Sequence, residues 1–174
     1  MRSLLIACGV ALAVPTAAGH LTFHAPPAWH ARAPASSMRV AEFVIPHAPG
    51  DSEDAELIVY YFGAQGGGGA QANIDRWIGQ MQRPDTSPAA DSAKTDTRTI
   101  NGLAISGVDV SGTYVAEVRP GSAEHYNKPD FRLLAAVVTT PNGPYYVKLT
   151  GPSRTVAAAR PAYDAFLGSL KYEQ

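Results

Sequence analysis

Charge is scarce in this 174-residue chain, and neither sign predominates. Charged residues make up 17% of the sequence, against about 25% in an average domain. The 14 basic and 15 acidic residues give a net charge of −1. A broad basic field of the kind that holds nucleic acid is absent, so we expect no DNA or RNA partner. No apolar run reaches the roughly 20 residues that span a bilayer, which excludes a transmembrane body.

Cysteine is nearly absent as well, and the single one lies in a leader. Residues 1–19 combine an early arginine, an apolar run and small residues, the pattern of a secretory signal peptide cleaved after Ala18 or Gly19. The stretch around Cys8 is also similar to a lipoprotein box, but the apolar run continues past it. We therefore predict one mature domain over residues 20–174, secreted or periplasmic and monomeric, without disulfides or thiol chemistry.

Four apolar segments predict the strands of a sheet. Residues 38–45 and 56–62 are rich in Val, Ile, Tyr and Phe and are joined by an acidic turn. Residues 131–140 and 145–150 flank a Pro-Asn-Gly-Pro turn. Several of these segments are apolar on both faces, which is typical of central strands covered on both sides.

A hairpin and two helices complete the predicted elements. The pair Asn101-Gly102 predicts a tight hairpin within residues 94–119. An apolar stripe predicts a helix over 71–83, and Trp77 on that stripe is expected to be structural, with Gln80 off it. A second stripe predicts a C-terminal helix with Ser153 as N-cap and a kink at Pro161. The expected fold is α+β, a largely antiparallel β-sheet covered by helices.

The order of elements and four segments resemble a family of small exported bacterial proteins with no assigned activity. At the level of architecture the chain also resembles the PsbP-like α/β/α sandwich, named for an extrinsic photosystem subunit. This resemblance implies binding or scaffolding more than catalysis. The four segments are Met38-Arg39-Val40-Ala41, Val59-Tyr60-Tyr61-Phe62-Gly63, Asn73-Ile74-Asp75-Arg76-Trp77 and Lys148-Leu149-Thr150-Gly151-Pro152.

Several patterns raise the question of chemistry, and none forms a known motif. The glycines 66–69 before a helix could hold an anion, but they lack the Lys-Ser/Thr ending of a P-loop, and a flexible connection is the plainer interpretation. The acidic turn 50–54 lacks the EF-hand spacing that calcium would require. No G-x-S-x-G elbow surrounds a serine, so we name no catalytic residue and expect no cofactor.

Three histidines lie close together at the start of the predicted mature chain. Cleavage after Gly19 would place the free amine and the imidazole of His20 together, and His24 could supply a third nitrogen for copper. The segment matches no fixed metal motif, and we favour ordinary exposed histidines. The copper site stays an alternative.

The remaining candidates are polar residues beside apolar stripes. Arg39 and Lys148 each lie in a predicted strand among apolar residues, and we favour strand-end and edge positions over charges that line a groove. With the polar face of the first helix they form the candidate binding surface, which comprises Arg39, Asn73, Arg76, Gln80 and Lys148.

These observations favour an exported, non-catalytic binding or accessory protein of the bacterial envelope. Its partner would be an envelope protein or a small ligand. A metal-assisted or hydrolytic enzyme built from dispersed residues is the alternative. A groove with converging ionisable groups would favour the enzyme, and an aromatic surface patch would favour the binding protein.

Overall fold

The computed structural model describes residues 16–18, 20–85 and 87–173. They form eleven strands, two α-helices and a 3₁₀ turn at Ala89–Asp91. The helices are α1 (Ala70–Ile78) and α2 (Ser153–Gly168). The strands are β1 (Thr16–Ala18), β2 (Leu21–Phe23), β3 (His30–Arg32), β4 (Arg39–Ile45), β5 (Ala55–Tyr61), β6 (Met81–Gln82), β7 (Lys94–Ile100), β8 (Leu103–Tyr114), β9 (Lys128–Thr139), β10 (Tyr145–Pro152) and β11 (Lys171–Tyr172).

Eight of the strands form one antiparallel sheet in the order β3-β4-β5-β10-β9-β8-β6, and β7 also pairs with β8. Strands β1, β2 and β11 form a second, small antiparallel sheet. Strand β10 lies between β5 and β9, so its backbone is paired on both sides. Its neighbours β5 and β9 are also inner strands, which explains why their sequences are largely apolar on both faces, whereas β10 carries Lys148 on one of its faces.

The two helices pack on opposite faces of the large sheet. Helix α2 contributes to a core that includes Leu57, Val147 and Phe166. Helix α1 contributes to a second core on the other face, which includes Val110, Val137 and Trp77. The structure therefore confirms the α+β sandwich with an antiparallel sheet between helices. Trp77 is 4% exposed, so its predicted burial is confirmed.

The β7–β8 hairpin turns at the predicted dipeptide. Asn101 has φ = 50° and Gly102 has φ = 81°, so both central residues are left-handed. A two-residue turn of this kind matches the twist of the strands that it joins, and asparagine followed by glycine tolerates it best.

Helix α1 is shorter than predicted. It ends at Ile78, where the N–H of Gly79 donates to the carbonyl of Asp75 (2.9 Å) and the N–H of Gln80 donates to the carbonyl of Trp77 (3.2 Å). Met81 continues the apolar stripe and is buried in the same core, but it lies in strand β6. Because the spacing of apolar residues continues past the end of the helix, a prediction from that spacing overestimates the length of α1.

Helix α2 receives its N-terminal cap from a distant residue. Ser153 is the first helical residue and makes no capping hydrogen bond. Instead, the carboxylate of Asp51, in the β4–β5 loop, accepts hydrogen bonds from the backbone N–H (2.9 Å) and the hydroxyl (2.6 Å) of Thr155. The prediction that Ser153 is the N-cap is therefore wrong. Pro161 lies within a helix that continues to Gly168.

None of the helices in the described ranges is long and apolar enough to cross a membrane. The predicted signal peptide, including Cys8, falls almost wholly outside the described residues. The boundary at residue 19 therefore stays a prediction.

Candidate functional site

Six polar and aromatic side chains gather on the α1 face of the sheet. Strand pairing places Arg39 opposite Tyr60 and Tyr60 opposite Tyr146, and Lys148 follows two residues along β10 on the same face. The end of α1, the segment that follows it and the end of β8 supply the other members. We call this group the cationic cluster: Arg39, Tyr60, Arg76, Gln80, Tyr114 and Lys148.

Lys148 lies at the centre of the cluster and of the sheet. Its Nζ donates hydrogen bonds to Gln80 Oε1 (2.7 Å) and to Tyr114 Oη (3.1 Å). The ammonium also lies 5.1 Å from the centroid of the Tyr114 ring, within the range of a cation–π interaction. Because β10 is an inner strand, the prediction that Lys148 is an edge residue is wrong.

The environment of Lys148 opposes its positive charge. Burial, together with the charges of Arg76 and Arg39, lowers the pKa of Lys148 to about 7. An ammonium that is removed from water and placed near two guanidinium groups loses hydration without gaining a countercharge. The site would therefore gain from any anion that enters it.

Arg76 is held by a buried neighbour on the same helix. Its guanidinium donates to Asn73 Oδ1, and the Asn73 amide donates to the carbonyls of Gly67 (2.8 Å) and Gly69 (2.9 Å). Asn73 is only 1% exposed, whereas Arg76 is exposed. Asn73 therefore positions the cluster but does not line its surface.

Arg39 belongs to a second, electrically balanced group. The buried carboxylate of Glu42 accepts hydrogen bonds from Arg32 (2.9 Å), Arg39 (3.1 Å) and the N–H of Ala35 (2.7 Å). Burial opposes ionisation, but these hydrogen bonds prevail and lower the pKa of Glu42. Arg32 also pairs with Glu56. Two arginines and two carboxylates therefore balance each other at this edge of the cluster.

Arg76 and Lys148 have no such balance. Among residues 20–85 and 87–173, neither forms a salt bridge with a carboxylate. The carboxylate nearest to Arg76 in sequence, Asp75, accepts a hydrogen bond from Gln71 instead. The cluster thus carries two cations without a protein counterion, and this excess defines it as a candidate anion site.

Two tyrosines flank these cations. Burial raises the pKa of Tyr60, although Arg39 and Arg76 oppose the shift. Burial also raises the pKa of Tyr114, and both hydroxyls therefore stay protonated at neutral pH. Tyr60 stacks on Phe62, and Tyr114 stacks on Tyr126 and Phe131. These contacts fix both rings in place and leave hydroxyl donors beside the cations.

The structure thus brings together four of the five predicted surface residues. Arg39, Arg76, Gln80 and Lys148 lie in the cationic cluster, and the buried Asn73 supports it. Tyr60 and Tyr114 are members that were not predicted for this surface. Tyr60 follows Ile58 by two residues, so the sequence indicates that both point to the same face of β5. Only the pairing of β4, β5 and β10 places Tyr60 near Arg39 and Lys148.

The other predicted features serve the fold. In the glycine run, Gly67 has φ = 81°, and a side chain there would collide with the Tyr146 ring, so the run allows close packing. The carbonyls of Gly67 and Gly69 accept hydrogen bonds from Asn73. In the acidic turn, Asp51 caps α2, and Asp54 accepts a hydrogen bond from the backbone N–H of His47 (2.9 Å).

The two histidines of the copper alternative lie apart from the cluster. His20 contacts the ring of Tyr172, and the backbone N–H of His24 donates to Ser169 Oγ (2.9 Å). Among the described residues, no three His, Cys, Asp or Glu side chains form a group that could hold a metal. The copper alternative requires a new chain terminus at His20, so it stays a prediction.

The architecture defines a PsbP-like α+β sandwich. The chain is similar to the solution structure of cyanobacterial PsbP (CyanoP) from Synechocystis, with a TM-score of 0.52 and 15% sequence identity. The likeness covers 97% of this chain and 98% of that chain, so it extends over the whole fold. No family model matches the chain, and no match was found among curated proteins. The predicted PsbP-like fold is confirmed, and at this identity the likeness concerns the fold alone.

Proposed function

We propose that this chain is an exported, non-catalytic binding or accessory protein of the bacterial envelope, which recognises its partner through the cationic cluster. The observation that carries the proposal is the pair of cations, Arg76 and Lys148, without a protein counterion beside two fixed tyrosines. Keeping Lys148 in a central strand is unfavourable for the free protein. A binding partner that supplies negative charge would relieve that cost.

The contacts of the ionisable groups support binding more than hydrolysis. A hydrolase whose nucleophile is activated by histidine needs a hydroxyl within hydrogen-bond reach of an imidazole. Within the described ranges, His47 Nδ1 is hydrogen-bonded to Asp54 and His125 Nδ1 to the carbonyl of Val115, and neither bonds to a hydroxyl. Lys148 is hydrogen-bonded to an amide and a phenol. These partners orient a cation but do not activate a nucleophile.

Capture from envelope extract tests the proposal. The predicted mature chain, residues 20–174, is immobilised as wild type and as the variants Arg76→Ala and Lys148→Met. Lys94→Ala is the matched control, because Lys94 is an exposed lysine on β7, outside the cluster. Bound components are identified by mass spectrometry, and circular dichroism verifies that each variant is folded.

We expect a component that binds wild type and Lys94→Ala equally. Its recovery should fall about tenfold with each cluster variant, since each removes a charged hydrogen-bond donor. Equal recovery on all four proteins would contradict the assignment of the cluster as the recognition surface. Hydrolysis of a component by wild type, lost in the cluster variants, would favour the enzyme instead.

A further inference from the structure

We infer that the cationic cluster binds a tetrahedral dianion, namely inorganic phosphate, inorganic sulfate or a phosphate monoester, between Arg76 and Lys148. This inference rests on the proposed function, because it names the chemistry of the group that the recognition surface takes. The ligand could carry that group as a free anion or on a lipid headgroup.

The charges of the site match a dianion. Arg32, Arg39, Glu42 and Glu56 form a closed ion-pair group whose charges cancel. The remaining cations are Arg76 and Lys148, which together carry two positive charges when Lys148 is protonated. A monoanionic carboxylate would leave one of them without a counterion, whereas a dianion neutralises both.

The site keeps donors that the protein does not use. The Lys148 ammonium has three N–H groups and uses two of them, and the Arg76 guanidinium has five and donates to Asn73. Tyr114 accepts a hydrogen bond from Lys148, so its own O–H is available to donate. Tetrahedral oxyanions accept several hydrogen bonds at once, and charge-assisted bonds to arginine and lysine are strong.

Binding of a dianion should also change the protonation of Lys148. The charges of Arg76 from α1 and Arg39 from β4 act on it, and Gln80 and Tyr114 accept its hydrogen bonds. Tyr60 from β5 and Glu42 from β4 lie beside Arg39. In the free protein, burial and the two arginines lower the pKa of Lys148 to about 7. An adjacent dianion favours the ammonium form, so binding takes up a proton near and above neutral pH.

Isothermal titration calorimetry with inorganic phosphate and with sulfate tests the inference. Sulfate does not titrate between pH 6 and 9, so its heats in two buffers of different ionisation enthalpy give the protons taken up by the protein. The proteins are wild type, Arg76→Ala, Lys148→Met and the control Lys94→Ala. Arg76 is exposed on α1, so Arg76→Ala keeps the test valid even if Lys148→Met fails to fold. Acetate serves as the monoanion, and vesicles with and without phosphatidic acid represent the lipid source.

We expect saturable binding of sulfate and phosphate to wild type and Lys94→Ala, and affinities about tenfold lower for each cluster variant. Acetate should bind more weakly than either dianion. Proton uptake with sulfate should approach half a proton at pH 7, because the pKa of Lys148 lies near that pH, and it should vanish in Lys148→Met. Binding only to phosphatidic acid vesicles, lost in Arg76→Ala, would support the inference and assign the group to a lipid.

Absence of binding to every dianion source, or equal affinity in all variants, would overturn the inference. If an envelope component is nevertheless captured through the cluster, the proposed function stands and only the tetrahedral dianion is excluded. If dianions bind while nothing is captured from the extract, the inference stands, and the search for a protein partner has failed instead. The capture experiment and the calorimetry therefore test the proposed function and the dianion inference independently.

Discussion

Lys148 is an amine in a position where most sheets place an apolar side chain. Its neighbours across the strands are Ile58 and Ala135, both buried. Its hydrogen bonds to Gln80 and Tyr114 satisfy two of its donors but supply no opposite charge. The residue therefore costs folding stability whenever it is protonated.

The pH dependence of stability should reveal this cost. The pKa of Lys148 is about 7 in the folded protein, against an ordinary value of 10.5. Between these values the unfolded chain binds more protons, so the free energy of unfolding rises with pH above about 7. Below pH 7 the full cost is present. We expect this rise in wild type and a flatter profile in Lys148→Met.

Urea unfolding at pH 6.5 and pH 9 measures the effect. Lys148→Met should be more stable than wild type at pH 6.5, by on the order of 1 to 3 kcal/mol, and the difference should shrink at pH 9. Lys94→Ala is the control and should follow wild type at both values. If the free energy of unfolding changed equally with pH in wild type and in Lys148→Met, the result would contradict the lowered pKa of Lys148.

Trp77 provides a second prediction for a single residue. It is buried between α1 and the sheet, with its ring edge-on to Tyr146 at 6.5 Å between centroids. Trp77→Ala should lower the free energy of unfolding by about 3 to 5 kcal/mol through lost burial and the cavity left behind. Gln80 lies off the stripe but binds Lys148, so the better control is the exposed Gln71→Ala, which should change stability by about 0.5 kcal/mol or less.

Unchanged denaturant midpoints for Trp77→Ala would mean that the helix does not bury this face. That result would remove the support on which Arg76 is placed. The measurement is chemical denaturation monitored by circular dichroism, since the substitution removes one of two tryptophans.

At the level of elements, the N-terminal cap of α2 is a feature that local sequence cannot predict, because it depends on a tertiary contact. Ser153 stands immediately before the apolar stripe, which is the usual place of an N-cap. The capping hydrogen bond is instead accepted from Thr155 by Asp51, which lies 104 residues before Thr155 in the chain. No local pattern can indicate this pairing, because it depends on how the β4–β5 loop meets the helix.

Replacing each of the two candidate capping residues by alanine tests this assignment. Asp51→Ala should lower the free energy of unfolding by about 1 kcal/mol, since the N–H and hydroxyl of Thr155 lose their acceptor. Ser153→Ala should change it by less than about 0.5 kcal/mol. Thermal or urea unfolding of both variants gives the comparison. A larger loss for Ser153→Ala would restore the local cap.

The elements that could be predicted are those that neighbouring residues determine. Strands β4 and β5, the Asn101-Gly102 turn and the stripe of α1 follow from spacing and turn chemistry within short windows. The cationic cluster depends on the pairing of β4, β5 and β10, and β10 lies far from the other two strands along the chain. The sequence was enough to name Arg39 and Lys148 as candidates. That they lie close to Tyr60 is known only from the register of the paired strands.

For the whole molecule, the two faces of the sheet are covered unequally. Helix α2 has 16 residues, and α1 has 9 and packs over β8 and β9. On the same face, next to the C-terminal end of α1, the cationic cluster extends from the end of β8 across β10 to β5 and β4. The position of the candidate site therefore follows from the shortness of α1.

The start of the mature chain is a further prediction at this scale. Cleavage after Ala18 or Gly19 would remove strand β1, but β2 would keep its pairing with β11. Exported protein should therefore begin at Gly19 or His20 and remain folded, as N-terminal sequencing and circular dichroism can establish. Retention of residues 1–18, or a lipid on Cys8, would contradict the predicted leader.

The central claim is that Lys148 and Arg76 form an uncompensated cationic site that an anion completes. Its most direct test is the pKa of the Lys148 amine, measured by NMR of its ε-carbon over pH 5 to 11 in the free protein and with saturating sulfate. The structure predicts a pKa of about 7 in the free protein and a higher value with sulfate. A free-protein value near 10.5 that sulfate does not change would contradict it.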